Sequence, residues 1–180
     1  MGQTVLLLID VQQAMFMYDE KLYREQEVVA HLQQLLTEAR ASGTPVIFVQ
    51  HTDEADEDFR ENSLGWAIAD VVRPLPQERI VRKSSWDSFY QTELRDVLQG
   101  LGASQLIIAG MQTEFCLDTT CRSAYSLGYQ NNVLVSDAHS TFDSKVLSGE
   151  QIVAHHNAVL GNRFARLLTT ADVHFRELLK

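Results

Sequence analysis

Ser104-Gln105-Leu106-Ile107-Ile108-Ala109, then Gly110-Met111-Gln112-Thr113-Glu114-Phe115-Cys116, then a helix-like run over Leu117–Leu127, is the stretch that decides the fold. A short apolar run ending in glycine reads as a buried strand. The strand passes through a tight turn directly into a helix, which is half of a βαβ unit. The turn sets Cys116 at a helix N-terminus, where unsatisfied N–H groups and the dipole favour a thiolate and can hold an oxyanion.

The same alternation runs outward in both directions. Val5–Ile9 is a continuous apolar run, as expected of a strand covered on both faces. Val28, Leu32, Leu35, Leu36 and Ala39 mark one apolar helix face, stopped by Ser42-Gly43, and Pro45–Gln50 gives a second strand. Arg79–Lys83 reads as a third strand, and Leu94, Val97, Leu98 and Leu101 as the next helix. Beyond the Cys116 helix, which ends at Gly128, Asn132–Ser136 predicts a fifth strand, Gly149–Leu168 a long helix and Ala171–Phe175 a short sixth strand. The series predicts an α/β fold with a parallel sheet covered by helices on both faces, in a single domain over residues 1–180.

The chain has 180 residues, 45% hydrophobic and 22% charged, with a formal net charge of −9. That length suffices for one buried core. The negative balance argues against nucleic acid and anionic membranes as partners. No apolar run approaches the roughly 18 residues of a membrane span. The N-terminal apolar run lacks a basic flank and meets Asp10 at once, unlike a signal peptide. Cys116 and Cys121, if on one helix, stand about 7.5 Å apart along its axis, beyond disulfide reach, which suits a reducing cytoplasm. The same separation argues against a redox pair.

Ligands in such sheets bind beyond the carboxyl ends of the strands, where the topology switches. Asp10 ends the first strand, Lys83 the third, and Cys116 follows the fourth. Lys83 as an ammonium lowers the thiol pKa of Cys116, and Asp10 can move a proton from thiol to leaving amine and then activate water. That trio reads as acyl transfer through a thioester. Thr52–Gln77 is an excursion with little regular pattern, containing Trp66, and Glu54–Asp58 within it reads as an acidic, solvated loop. Gln12, Phe16, His51, Trp66 and Trp86 are the expected pocket walls, with Phe89 either beside them or in the core. A small-molecule substrate is expected.

Leu7-Leu8-Ile9-Asp10-Val11-Gln12, Lys83-Ser84-Ser85-Trp86-Asp87-Ser88-Phe89 and the Gly110–Cys116 turn, followed by Thr119-Thr120-Cys121-Arg122-Ser123-Ala124, Gly128-Tyr129 and Val135-Ser136-Asp137-Ala138, resemble the isochorismatase-like cysteine hydrolases. The resemblance runs over nearly the whole chain. It implies a three-layer Rossmann-like fold with a six-stranded, mainly parallel sheet, and an Asp10–Lys83–Cys116 triad. It also implies a non-proline cis peptide at Met111–Gln112, an oxyanion hole from the N–H groups of Gln112 and Cys116, and a homodimer or larger homo-oligomer. Nicotinamidase-like members hold a metal through an Asp-x-His pair, whereas this chain has His51-Thr52-Asp53, so no metal and no cofactor are expected. Isochorismate hydrolysis cleaves a vinyl ether and has no need of a nucleophilic cysteine, so Cys116 favours an amide, ureide or lactam C–N bond. An isochorismatase-type ether hydrolase and a non-catalytic ligand-binding member of the fold are the alternatives. Asp137-Ala138-His139-Ser140-Thr141 and Gln151-Ile152-Val153-Ala154-His155-His156-Asn157 resemble the branch that includes streptothricin hydrolase. His155 and His156, adjacent on a helix, do not share a face and make a poor metal pair.

Overall fold

A computed structural model of the chain describes residues 2–161 and 163–177. Its strands are β1 (Gln3–Ile9), β2 (Val46–His51), β3 (Arg79–Lys83), β4 (Ala103–Met111), β5 (Val133–Ser140) and β6 (Arg166–Leu168). They form one sheet in the order β3-β2-β1-β4-β5-β6. Every neighbouring pair is parallel. The helices are α1 (Ala14–Met17), α2 (Glu25–Ser42), α3 (Leu94–Gly100), α4 (Asp118–Ser126) and α5 (Gly149–Leu160).

Alternation along the central strands builds the three layers. Leu6 and Leu8 of β1 pack with Val28, Leu32, Leu35 and Leu36 of α2 on one face. Val5, Leu7 and Ile9 pack with Leu94 and Leu98 of α3, Cys121 and Ala124 of α4 and Leu160 of α5 on the other. Both faces of β1 are thus covered, which is why its run is apolar without interruption. No helix of the described residues is long and apolar enough to cross a membrane.

The C-terminal expectations need correction. The last long helix stops at Leu160 rather than Leu168, and Arg166–Leu168 is an edge strand paired with Val133–Val135. A three-residue, half-exposed strand carries no hydrophobic run by which to recognise it. Ala171–Phe175 is not a strand. It holds the end of a 3₁₀ turn, Thr170–Asp172, and Val173 and Phe175 are apolar because they join the core beneath α2. β5 also continues past Ser136 to Ser140, after an irregularity in its pairing with β4 between Ile108 and Gly110.

The chain leaves β1 toward β2 and β3 on one side, while β4, β5 and β6 lie on the other. The topology therefore switches between β1 and β4, and their carboxyl ends open a crevice. Gly110 makes the close approach possible there. Its φ is +123°, and a Cβ at this position would lie 2.1 Å from the Ile9 carbonyl oxygen. Only glycine fits both conditions.

Candidate active site

Register brings the strand ends level. Ile9 pairs with Gly110 on one side and Val49 on the other, and His51 pairs with Lys83. Asp10, the residue after β1, has φ 48° and so leaves the strand in the left-handed region. Non-glycine residues take that conformation at a cost and cluster at functional sites when they do. After β4 the Met111–Gln112 peptide is cis, and Thr113–Leu117 forms a single π turn ahead of α4. Cys116 sits inside that turn rather than at the first residue of a regular helix.

These placements converge on the buried ammonium of Lys83. Its Nζ lies 2.7 Å from Asp10 Oδ2 and 3.1 Å from Cys116 Sγ. It also donates to the Ser85 carbonyl at 3.0 Å and faces His51 Nδ1 at 3.3 Å. Apart from the ion pair, neither Asp10 oxygen has a hydrogen-bond partner among the described residues. Burial opposes the Lys83 charge, but Asp10 and Cys116 outweigh it and raise the lysine pKa. Burial and the Lys83 charge push the His51 pKa down. A neutral His51 turns its Nδ1 lone pair to the ammonium and carries its proton on Nε2.

The thiol departs from the sequence expectation. Burial raises the Cys116 pKa, the negative charge of Asp10 raises it further, and Lys83 pulls it down without prevailing. Burial and the Asp10 charge thus favour the neutral thiol over a standing thiolate. Cys121 is a free thiol in the core, with its pKa raised chiefly by burial.

The motifs flanking the trio brace it. Ser88 Oγ and Thr120 Oγ1 lie 2.8 Å apart, and Ser123 Oγ donates to Asp87 Oδ2 at 2.7 Å, so the segment after β3 is tied to α4. A buried relay supports the turn from the other side. Thr113 Oγ1 meets His139 Nδ1 at 2.9 Å, His139 Nε2 meets Asn157 Oδ1 at 3.0 Å, and Asn157 Nδ2 donates to the Ser136 carbonyl. Burial pushes the His139 pKa down to about 4. The neutral ring therefore donates from Nε2 and accepts the Thr113 hydroxyl at Nδ1. An unfolded histidine titrates near 6.5. Between those values only the unfolded chain takes the proton, so this stabilisation is complete above pH ~6.5 and is lost as the pH falls toward 4. Lowering the pH through that window is expected to reduce the unfolding free energy by about 3 kcal/mol, with His139→Gln flattening the profile in urea titrations.

A cavity of about 200 Å³ opens over the trio. Asp10, His51, Gln112 and Cys116 form part of its wall, and Met15, Tyr18, Asp53, Asp56, Phe59, Trp86 and Phe115 form the rest. Trp86 stacks on His51 with ring centroids 5.6 Å apart and lies 5.9 Å from Phe115.

Three of the expected pocket residues sit elsewhere. Gln12 is fully buried and acts as a clamp: Nε2 donates to the carbonyls of His51 and Trp66, and Oε1 accepts the His51 N–H. It therefore does not line the cavity. Phe16 packs against the core under α2, and its neighbour Met15 takes the cavity wall, since adjacent helical residues do not share a face. Trp66 donates from Nε1 to Thr52 Oγ1 and lies beneath the Arg82 guanidinium, 4.8 Å from its ring centroid, so it closes the base of the excursion. Phe89 stacks on Tyr129, as a core residue does. His156 caps the Ile152 carbonyl of its own helix, and among the described residues no three His, Cys, Asp or Glu side chains are grouped to hold a metal.

The isochorismatase domain matches residues 4–172 as a family profile. The chain belongs to the isochorismatase family. An uncharacterized isochorismatase family protein of Bacillus subtilis (strain 168), YddQ, is 34% identical over 93% of this chain and 96% of its own. Streptothricin hydrolase of Streptomyces noursei is 35% identical over 80% of this chain, which spans 57% of that protein's length. A crystal structure of an isochorismatase family protein superposes with a TM-score of 0.86 at 36% identity, covering 92% of this chain and 98% of the other. Across the isochorismatase fold seen here, Asp10, Lys83 and Cys116 come from three separate strand ends to one point.

Proposed function

We propose that this isochorismatase-family hydrolase cleaves a C–N bond of a small-molecule amide, ureide or lactam through a thioester at Cys116. The observation that supports this most is the Lys83 ammonium held between Asp10 and Cys116, with one Asp10 oxygen left free. In this reading Asp10 takes the Sγ proton as sulfur attacks the substrate carbonyl carbon, so no standing thiolate is required. Lys83 keeps its proton and offsets whichever of its neighbours is negative. The backbone N–H groups of Gln112 and Cys116 receive the oxyanion. Collapse breaks the C–N bond, and the amine leaves with the proton from Asp10. Water then attacks the thioester with Asp10 again as base, releasing a carboxylic acid and restoring the thiol. A vinyl ether needs none of the nucleophilic part, which makes ether hydrolysis the weaker reading.

The test is acid-quenched mass spectrometry with a panel of lactams, ureides and primary amides. A substrate that is turned over is expected to leave its acyl group on the Cys116 peptide when the reaction is stopped within the first turnover. Hydroxylamine should release that group as a hydroxamate. Undiminished hydrolysis by protein whose Cys116 is already alkylated would overturn the assignment.

A further inference from the structure

The cavity over Cys116 is walled on its solvent side by a loop read Asp53-Glu54-Ala55-Asp56-Glu57-Asp58, five carboxylates in six residues. Two of them, Asp53 and Asp56, line the cavity itself. Each uses one oxygen within the loop, Asp53 Oδ1 accepting the Ala55 N–H and Asp56 Oδ1 the Asp58 N–H. Among the described residues neither makes an ion pair. Deeper in the same cavity, Asp10 is 2% exposed and keeps Oδ1 without a hydrogen-bond partner.

Among the described residues no cation is paired with Asp53 or Asp56. Lys83 is committed to Asp10, Cys116 and the Ser85 carbonyl, and His51 is neutral. Of the nearby arginines, Arg82 pairs with Glu61 over Trp66, and Arg60 reaches the loop only through the Glu54 carbonyl, forming no ion pair with Asp53 or Asp56. Four aromatic side chains, Tyr18, Phe59, Trp86 and Phe115, share the wall with them, Trp86 56% and Phe115 46% exposed. Aromatic faces beside carboxylates attract cations, while a carboxylate entering this cavity meets the like charge of Asp53 and Asp56.

Resting on the proposed amide chemistry, we infer that the substrate is a small amide, ureide or lactam that also carries a positive charge, an ammonium or guanidinium held by Asp53 and Asp56 against the Trp86–Phe115 rings. The cavity volume of about 200 Å³ is below the usual range of drug-sized sites, about 300–1,000 Å³, so it accepts the reacting end of a small molecule. Specificity then comes from charge at the mouth, and reaction class from the trio at the floor.

The experiment uses a short series of ω-amino primary amides with their ω-methyl and ω-carboxylate counterparts. Binding to the intact protein is measured by calorimetry at low salt and, separately, ammonia release is measured for each compound. The amino amides are expected to bind about tenfold or more tightly than the methyl compounds, with the carboxylates weakest, and the preference should shrink as salt screens the loop. In the double variant Asp53→Asn/Asp56→Asn the amino and methyl amides should bind within about twofold of each other. Equal binding by all three classes, no binding at millimolar concentration, or a preference that survives in the double variant would overturn the inference. Ammonia release bears only on the hydrolase reading, so charge preference without hydrolysis and hydrolysis without charge preference are separate results.

Discussion

Asp10→Asn is expected to make Cys116 more reactive toward alkylating agents and at the same time to lower turnover by about 10²–10⁴-fold, the usual share of a general acid–base. The two effects have one cause. The Asp10 charge holds the Cys116 pKa up, while Lys83 pulls it down. Removing the carboxylate leaves burial as the one remaining force against Lys83, so a larger fraction of the cysteine is thiolate than in the parent protein and iodoacetamide reacts faster. The amide does not benefit, because no group remains to protonate the leaving amine or to take a proton from water. Asparagine is the appropriate replacement because it tolerates the left-handed backbone at φ 48°. Alkylation and turnover falling together would show Asp10 to be only structural.

Lys83→Met is expected to cost about 3–5 kcal/mol of folding stability, because it leaves the largely buried Asp10 carboxylate without its partner charge. The side chains of Lys83 and Asp10 are 0% and 3% exposed. The Lys83→Met/Asp10→Asn double variant should recover much of that loss while remaining inactive. Urea unfolding of the four proteins in a cycle reads the coupling directly. Lys83→Met should also slow Cys116 alkylation, the opposite of Asp10→Asn. If the double variant is as unstable as the sum of the two single variants, the pair is not acting as a buried ion pair.

The trio is legible in the sequence because each member ends or follows a β run at a countable distance, and parallel register then sets those ends level. What the sequence misassigned follows from local geometry that no run of residues reveals. Gln12 lies two positions after Asp10, and strand alternation would put both on one side. The left-handed turn at Asp10 breaks that alternation, and Gln12 enters the interior instead. The acidic stretch reads as solvated because five carboxylates in a row of six cannot be buried. Composition says nothing about which of them looks back over the sheet, and only the path of the loop selects Asp53 and Asp56. The state of the thiol is hidden for another reason. Helix position and a nearby lysine both argue for a thiolate, but burial outweighs them, and the depth of Cys116 is a property of the packed turn. His139 carried a visible motif, and its role was hidden because Thr113 and Asn157 come from distant parts of the chain.

The clamp made by Gln12 has a consequence for how such a protein diversifies. Its side chain holds the His51 backbone and the Trp66 carbonyl, Gln50 Nε2 joins at the same carbonyl, and Thr52 meets the Trp66 indole. The segment between Thr52 and Trp66 is therefore a closed loop tied at its neck by side chains that lie outside it. Mutations, insertions or a wholesale exchange within residues 53–65 would change what is admitted without moving Asp10, Lys83 or Cys116. Selection can rewrite the gatekeeper and inherit the chemistry intact.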